Sequence, residues 1–277
     1  MIRPMTKLIT PKIIIKNSFS SNITKHNFAS SSILHKFDVQ QKVVDTSINK
    51  ENGLNSYMKL VGLSTGKNLG ITTVTGALAL GIVSHYPELV FSAGGFFTWC
   101  TAAVTGIYSC YKVATINPTY KTINNNPIAV NSSERLAWSN LLFTCQGIVI
   151  APSLIMFTPY IPTAAIVTTA ITAGSISTAL YAPKGSMLAW GPALYTSLWG
   201  LIGCGVVGIF IPAFHTINLY VGVGIFTLYN MYDTQKLIHD YHNGKVDHLC
   251  HSVDYSLNFI NIFIRLLEIL AKKDKKS

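Results

Sequence analysis

The chain has 277 residues, and only 12% of them are charged, which is about half the share typical of a soluble globular domain. Apolar residues reach 49% and the mean hydropathy is +0.37, so the composition predicts an integral membrane protein. The net charge of +10 does not indicate a nucleic-acid-binding protein, because the Lys and Arg residues lie near the N-terminus, in predicted loops and at the C-terminus.

The first segment, residues 1–40, is predicted to be a mitochondrial presequence. Its first 37 residues contain six Lys or Arg residues and no acid, and Asp38 is the first carboxylate. A basic, acid-free, Ser-rich start, as in "NSFSSN", is the composition of such presequences. The alternative is a disordered basic tail on a protein of another membrane. Residues 41–58 are predicted to form a linker, and residues 59–277 the membrane domain.

Seven apolar segments follow, each close to the length of about 20 residues that a helix needs to cross a bilayer. They cover residues 66–85, 89–111, 136–157, 162–182, 187–211, 216–238 and 250–270. Small residues are frequent in them, as in "GALALG" and "GLIGCGVVG", and small residues let helices approach closely in lipid. The sequence therefore predicts an all-α membrane protein, a bundle of seven transmembrane helices.

The basic residues of the loops predict an orientation. The loops after the second, fourth and sixth spans contain Lys or Arg, and the loops after the first, third and fifth contain none. The positive-inside rule places the basic loops on the matrix side of an inner mitochondrial membrane. Seven spans then put the C-terminal "KKDKK" on the opposite side, so the side of this tail stays open.

The sixth span contains a carboxylate, Asp233, after a run from Gly185 to Tyr232 that has no charged residue. Ionisable groups inside membrane spans usually mark ion paths or proton relays. Calcium takes oxygen ligands, so Asp233 is a candidate calcium ligand. The oxygen-bearing residues predicted to accompany it are Thr234, Gln235, Asp254 and Asn258. The alternative is an Asp at the membrane surface that pairs with Lys236 or caps a helix.

Four stretches carry a resemblance to a known family. "NMYDTQKLI", followed by "VDHLCHSVDYSLNFINIFIRLLEIL", resembles the signature of the Bax inhibitor-1 family, and "ERLAW" and "YAPKGSML" also resemble stretches of its mitochondrial members. The resemblance implies seven helices with the last helix near the centre, surrounded by the other six. It also implies a proton-sensitive calcium pathway in which two aspartates, on the sixth and seventh helices, share a proton.

The chain departs from the family pattern at the second aspartate. Asp233 matches the first aspartate, but Asn258 stands at the second, and Asp254 lies one helical turn before it. Some family members hold the pair with an arginine from an early helix, whereas no arginine falls inside the first six predicted spans here. Near the end of the last span, Arg265 and Glu268 are expected to form an ion pair.

The loop "HDYHNGKVDHLCH" has four His residues and a Cys, and is read either as a zinc site or as a solvated, titrating loop. The chain lacks the motifs of common enzyme classes, so no enzyme and no cofactor are predicted.

The predicted function is pH-sensitive calcium/proton exchange or leak in the mitochondrial inner membrane, with effects on cristae organisation and apoptosis that the resemblance implies. The predicted partners are the lipid bilayer, calcium, protons and other inner-membrane proteins, with no nucleic acid. The alternative is a structural protein that transports nothing but organises cristae and holds inner-membrane partners.

Overall fold

A computed structural model describes residues 30–86, 92–123 and 126–274, without the side chains of residues 30–52, 93 and 122–128. Residues 1–29 of the predicted presequence lie outside this description. Residues 30–40 and the predicted linker, 41–58, form the first part of a long helix. The chain divides into residues 1–49 and a larger compact unit, residues 50–277, which contains Asp233 and the other predicted site residues.

The described residues form seven α-helices and one β-hairpin. The helices are α1 (Ser30–His85), α2 (Ala93–Thr115), α3 (Ser133–Met156), α4 (Ile161–Tyr181), α5 (Gly191–Gly208), α6 (Pro212–His242) and α7 (His248–Asp274). Each of the seven predicted spans overlaps one of these helices, so the prediction of a mostly helical protein is confirmed. Among the described residues, three helical segments are long and apolar enough to cross a membrane: Gly53–His85, Ser133–Met156 and Thr158–Tyr181. That all seven helices cross it stays a prediction.

Local sequence signals explain where several helices begin. Ser92 and Ser132 are N-caps, and their hydroxyls accept hydrogen bonds from the backbone N–H groups of Gly95 and Arg135. Helices α4, α5 and α6 each have a proline in the first turn, where its missing N–H costs nothing. Gly185 has a φ of 82° in the turn between α4 and α5, a backbone conformation that favours glycine.

The hairpin was not predicted from the sequence. Strands β1 (Thr119–Ile123) and β2 (Asn126–Val130) pair antiparallel between α2 and α3, with Thr119 opposite Val130. Each strand has only five residues, so the period-2 pattern is too short to stand out from a polar loop. The loop between the second and third spans is therefore ordered by a sheet.

Helices α1 and α3 approach closely at two glycines, as the small residues of the spans predict. A Cβ atom added to Gly147 on α3 would lie 2.6 Å from the carbonyl oxygen of Thr72 and 2.8 Å from the backbone nitrogen of Gly76, both on α1. The Thr72 hydroxyl also donates to the carbonyl oxygen of Phe143, at 3.2 Å. A larger residue at position 147 would force these helices apart.

Many large apolar side chains lie on the outside of the helices. Ile107 on α2 is 73% exposed, and Ile166 on α4 is 71% exposed. Exposed apolar surface of this kind is expensive in water and needs a partner. Lipid chains are the natural cover for a protein of this composition.

Helix α7 packs against α3, α4 and α6. It also contacts α1, because the Asn68 amide donates to the hydroxyls of Ser252 and Ser256, at 3.3 Å each. These small polar side chains on α7 are fully buried. The last helix therefore has neighbours on several sides.

Candidate ion and proton site

Asp233 and Asn258 meet where α6 packs against α7. The side-chain amide of Asn258 donates a hydrogen bond to Oδ2 of Asp233, at 2.7 Å. Both residues are buried, with exposed fractions of 5% and 6%. Because the amide is neutral, the two side chains carry at most one negative charge, whereas two aspartates could carry two.

Asp254 pairs with Lys236 at the end of the same interface. Lys236 Nζ lies 3.6 Å from Oδ2 of Asp254, and both side chains are more than a third exposed. Such a pair is screened by solvent and contributes little to stability. The ion-pair partner of Lys236 is therefore Asp254, whereas pairing of Lys236 with Asp233 was one of the two roles in the surface alternative.

Thr234 and Gln235 point away from the contact between Asp233 and Asn258, because successive helical residues are rotated by about 100°. The Thr234 hydroxyl donates to the carbonyl oxygen of Asn230, at 2.7 Å, and accepts from the Tyr255 hydroxyl, at 2.8 Å. The structure thus places Thr234 beside α7, in a hydroxyl pair of its own.

Gln235 stabilises the end of α4. Its Oε1 accepts from the backbone N–H of Gly185, and its Nε2 donates to the carbonyl oxygen of Ala179, both at 2.6 Å. Both ends of the amide are engaged and the residue is 1% exposed. In this arrangement Gln235 holds the turn between α4 and α5 and does not face Asp233.

Asn230 is a buried polar residue that the sequence analysis missed. It is fully buried, and neither its Nδ2 nor its Oδ1 has a hydrogen-bond partner among the described residues. It lies three residues before Asp233 on α6, which places the two side chains on neighbouring positions of one helix face. The signal was available, since "YNMYD" puts an amide one turn before the carboxylate in an apolar span.

A second buried charge, Arg135 at the start of α3, was interpreted from the sequence only as a loop cation. It is 1% exposed and makes two hydrogen bonds to Asp247, at 2.9 and 2.6 Å. It also donates to Asn131 and, at 3.0 Å each, to the carbonyl oxygen of Val113 and the sulfur of Cys250. This cluster ties α2 and α3 to the start of α7.

The pKa of Asp247, in the loop between α6 and α7, reflects this pairing. Burial by itself raises the pKa of a carboxyl, but here the hydrogen bonds and the positive charge of Arg135 outweigh it. The result is a pKa below the ordinary value. Asp247 is therefore a charged structural partner of Arg135.

At the other end of α7, the expected ion pair between Arg265 and Glu268 is wrong. Arg265 donates to Asn261 Oδ1 at 2.9 Å and to Asn218 Oδ1 at 3.4 Å. Glu268 instead contacts His215 and, at 3.3 Å, Lys272. Spacing along one helix suggested the pair, but α6 offers both residues partners that lie far away in sequence.

The His-rich loop does not assemble a metal site in the described part of the chain. No three His, Cys, Asp or Glu side chains converge there or around Asp233. His251 lies 3.8 Å from Asp240, and His248 lies 3.3 Å from the amide of Asn131. A cation at Asp233 would thus be held by one carboxylate together with neutral oxygens.

Comparison with known proteins identifies the family. The family model described as "Inhibitor of apoptosis-promoting Bax1" matches residues 54–275. The chain belongs to this Bax inhibitor-1 family. It is therefore a membrane protein of that family, as the "YDTQ" and "NIFIR" stretches indicated.

Individual relatives are similar over different lengths. Human Bax inhibitor 1 is 34% identical over 120 residues, which are 42% of this chain and 51% of that protein. The rice Bax inhibitor 1 is 26% identical over 231 residues, 78% of this chain and 80% of the relative. A vaccinia virus Golgi anti-apoptotic protein is 34% identical over 89 residues, 31% and 36% of the two chains. The chain spans about half the length of the first three animal relatives that it matches.

Proposed function

We propose that this chain is a calcium and proton pathway of the mitochondrial inner membrane, with Asp233 as its ionisable group. In this proposal all seven helices cross the membrane, and α7 lies at the centre of the bundle. The observation that carries it is the buried contact of 2.7 Å between Asp233 and Asn258. A carboxylate buried between two helices of a membrane protein is costly unless it binds a proton or a cation.

The chemistry follows from the two states of one carboxylate. Ionised Asp233 can hold a cation, with the carbonyl oxygens of Asn258 and Asn230 as neutral ligands of the kind calcium accepts. A proton that binds Asp233 removes the charge and releases the cation. Movement of calcium one way is thus linked to movement of protons the other way, and α6 and α7 must separate at the contact to let the ion pass.

The proposed location rests on the N-terminal composition. Residues 1–37 are basic and free of acids, and the membrane potential of the inner membrane draws such segments inward. The proposed link to cell death rests on the relatives. Proteins named Bax inhibitor 1 and Golgi anti-apoptotic protein share the matched region. We infer that calcium release through this pathway limits apoptosis.

Calcium flux in proteoliposomes tests the proposal. Purified protein is reconstituted with a calcium dye inside the vesicles, and flux is measured at two pH values. Asp233→Asn should abolish flux, because it removes the charge that binds the cation or proton. Asp240→Asn, on the same helix beyond the contact with Asn258, should transport like the parent. Full flux in Asp233→Asn would refute the proposal.

A structural role is the second candidate, and one substitution favours it. Asn258 stands where the family pattern has its second aspartate, so the chain lacks one acid of the family's proton-sharing pair. A protein that organises cristae and holds inner-membrane partners would not need that pair. In this case Asp233→Asn would restore cristae in cells that lack the protein as well as the parent does.

A further inference from the structure

Polar side chains follow the contact between α6 and α7 well beyond Asp233. We call this contact the α6–α7 seam. It begins at the pair of Lys236 and Asp254 and ends where His215 contacts Glu268. The distance from Lys236 to His215 along α6 is about 31 Å at 1.5 Å per residue. The hydrocarbon core of a bilayer is about 30 Å thick, so the seam has the length of a complete crossing.

Asn230 is a buried polar residue inside the seam. It is one turn from Asp233, in the direction of the His215 end, and it is fully buried. Neither amide atom has a hydrogen-bond partner within the described part of the chain. A buried amide without partners is costly, and such groups call for an explanation. A passing cation or a hydrogen-bonding water would satisfy it, because the amide offers both a donor and an acceptor.

Arg265 crosses the seam beyond Asn230. Its guanidinium lies 4.8 Å from the ring centroid of Phe226 and donates to Asn218 and Asn261, all neutral groups. A Cβ atom added to Gly222 would lie 2.1 Å from Nε of Arg265, so the arginine occupies the space that this glycine leaves open. The row of polar side chains along the seam is therefore interrupted by the positive charge of Arg265.

We propose that Arg265 is a gate at the His215 end of the pathway and that it excludes cations in the conformation described here. The inference rests on the proposed function, in which Asp233 is the ion site. It adds a second closed point to the pathway, besides the contact between Asp233 and Asn258. The guanidinium repels a cation that has reached Asn230. When the arginine leaves Asn218 and Asn261, the seam becomes polar and open from end to end.

Charge-changing variants test the gate by flux. Arg265→Gln should raise calcium flux about tenfold or more, because a unit charge in a region of low dielectric strongly repels a divalent cation. Arg265→Lys keeps the charge and should therefore raise flux less than Arg265→Gln does. Lys272→Gln, which removes a cation that pairs with Glu268 at the outer end of the seam, should leave flux unchanged. Equal flux in Arg265→Gln and the parent, with Asp233→Asn inactive, would overturn the gate but leave the proposed function standing.

Sided thiol labelling tests the gate without any transport. In a background without the five native cysteines, Asn230→Cys is exposed to a membrane-impermeant thiol reagent on one side of oriented vesicles at a time. Labelling from the His215 end is expected only with Arg265→Gln, because in the parent background the arginine lies between that end and position 230. Leu219→Cys, buried on the same helix, is the control that should not react.

Labelling of Asn230→Cys from the His215 end with Arg265 in place would contradict the gate, and so would the lack of labelling from that end with Arg265→Gln. The first of these outcomes can be observed even if Arg265→Gln fails to fold. The lack of flux in both the parent and Arg265→Gln would refute the proposed function, whereas the labelling pattern would still show whether the arginine closes the seam.

Discussion

Arg135 and Asp247, 112 positions apart, form a two-pronged ion pair with hydrogen bonds of 2.9 and 2.6 Å. The arginine side chain is 1% exposed and the aspartate 20% exposed. Paired, charge-assisted hydrogen bonds of this geometry are among the strongest in proteins. The pair fastens the first turn of α3 to the loop that precedes α7, and so fixes the start of the helix that carries Asn258.

Removal of one partner should destabilise the protein strongly. Arg135→Gln leaves Asp247 without its cation and is expected to cost about 3–5 kcal/mol of the free energy of unfolding. Lys184→Gln, which removes an exposed cation, is the control and should change stability little. Chemical unfolding of the detergent-solubilised protein measures both. The double variant Arg135→Met with Asp247→Leu should lose less than Arg135→Gln, and an equal or larger loss would contradict the ion-pair account.

The same pair predicts how stability depends on pH. Because Arg135 holds the pKa of Asp247 below its ordinary value of 3.8, the stabilising charge is fully present above that value. It is lost as the pH falls through the lower folded-state pKa. The unfolding temperature of the parent should therefore fall more steeply below about pH 4 than that of Asp247→Asn, in which no carboxyl titrates at this position. Parallel curves for the two proteins would refute this prediction.

Asn258→Asp should restore the two-carboxylate arrangement of the family. Two carboxyls at the distance of the present contact cannot both be ionised, so they would share a proton and titrate together. Calcium flux between about pH 6 and 8 should depend on pH more steeply than in the parent, whose Asn258 cannot titrate. Asp254→Asn is the matched comparison. If it alone removes the pH dependence of the parent, the second carboxylate is Asp254 and the assignment to Asn258 is wrong.

Residues 1–37 fused to a fluorescent protein should enter mitochondria. The physical reason is the attraction of an acid-free, positively charged segment by the inner-membrane potential. Microscopy with a mitochondrial marker measures it. A fusion in which the six Lys and Arg residues are replaced by Gln should remain in the cytosol. Entry of the unchanged fusion into the secretory pathway would contradict both the presequence and the proposed location.

The sequence by itself determined the helices and the membrane class. Long apolar runs with few charges form helices wherever backbone groups must bond within the segment, and this holds whatever the neighbours are. The family signature around Asp233 could also be recognised from the sequence, because the motif is local. The hairpin between Thr119 and Val130 could not be predicted, since the alternating pattern of a five-residue strand is too short.

Only the tertiary structure decided which polar side chains meet. Gln235 follows Asp233 by two residues but bonds to Gly185, and Arg265 bonds to Asn218 instead of nearby Glu268. Each residue turns the side chain by about 100° around a helix, so the partner depends on how that helix is rotated and shifted against the next. Composition does not specify that rotation, which results from the packing of all the helices. This packing places Asn258 against Asp233, and it places Arg265 in the space beside Gly222.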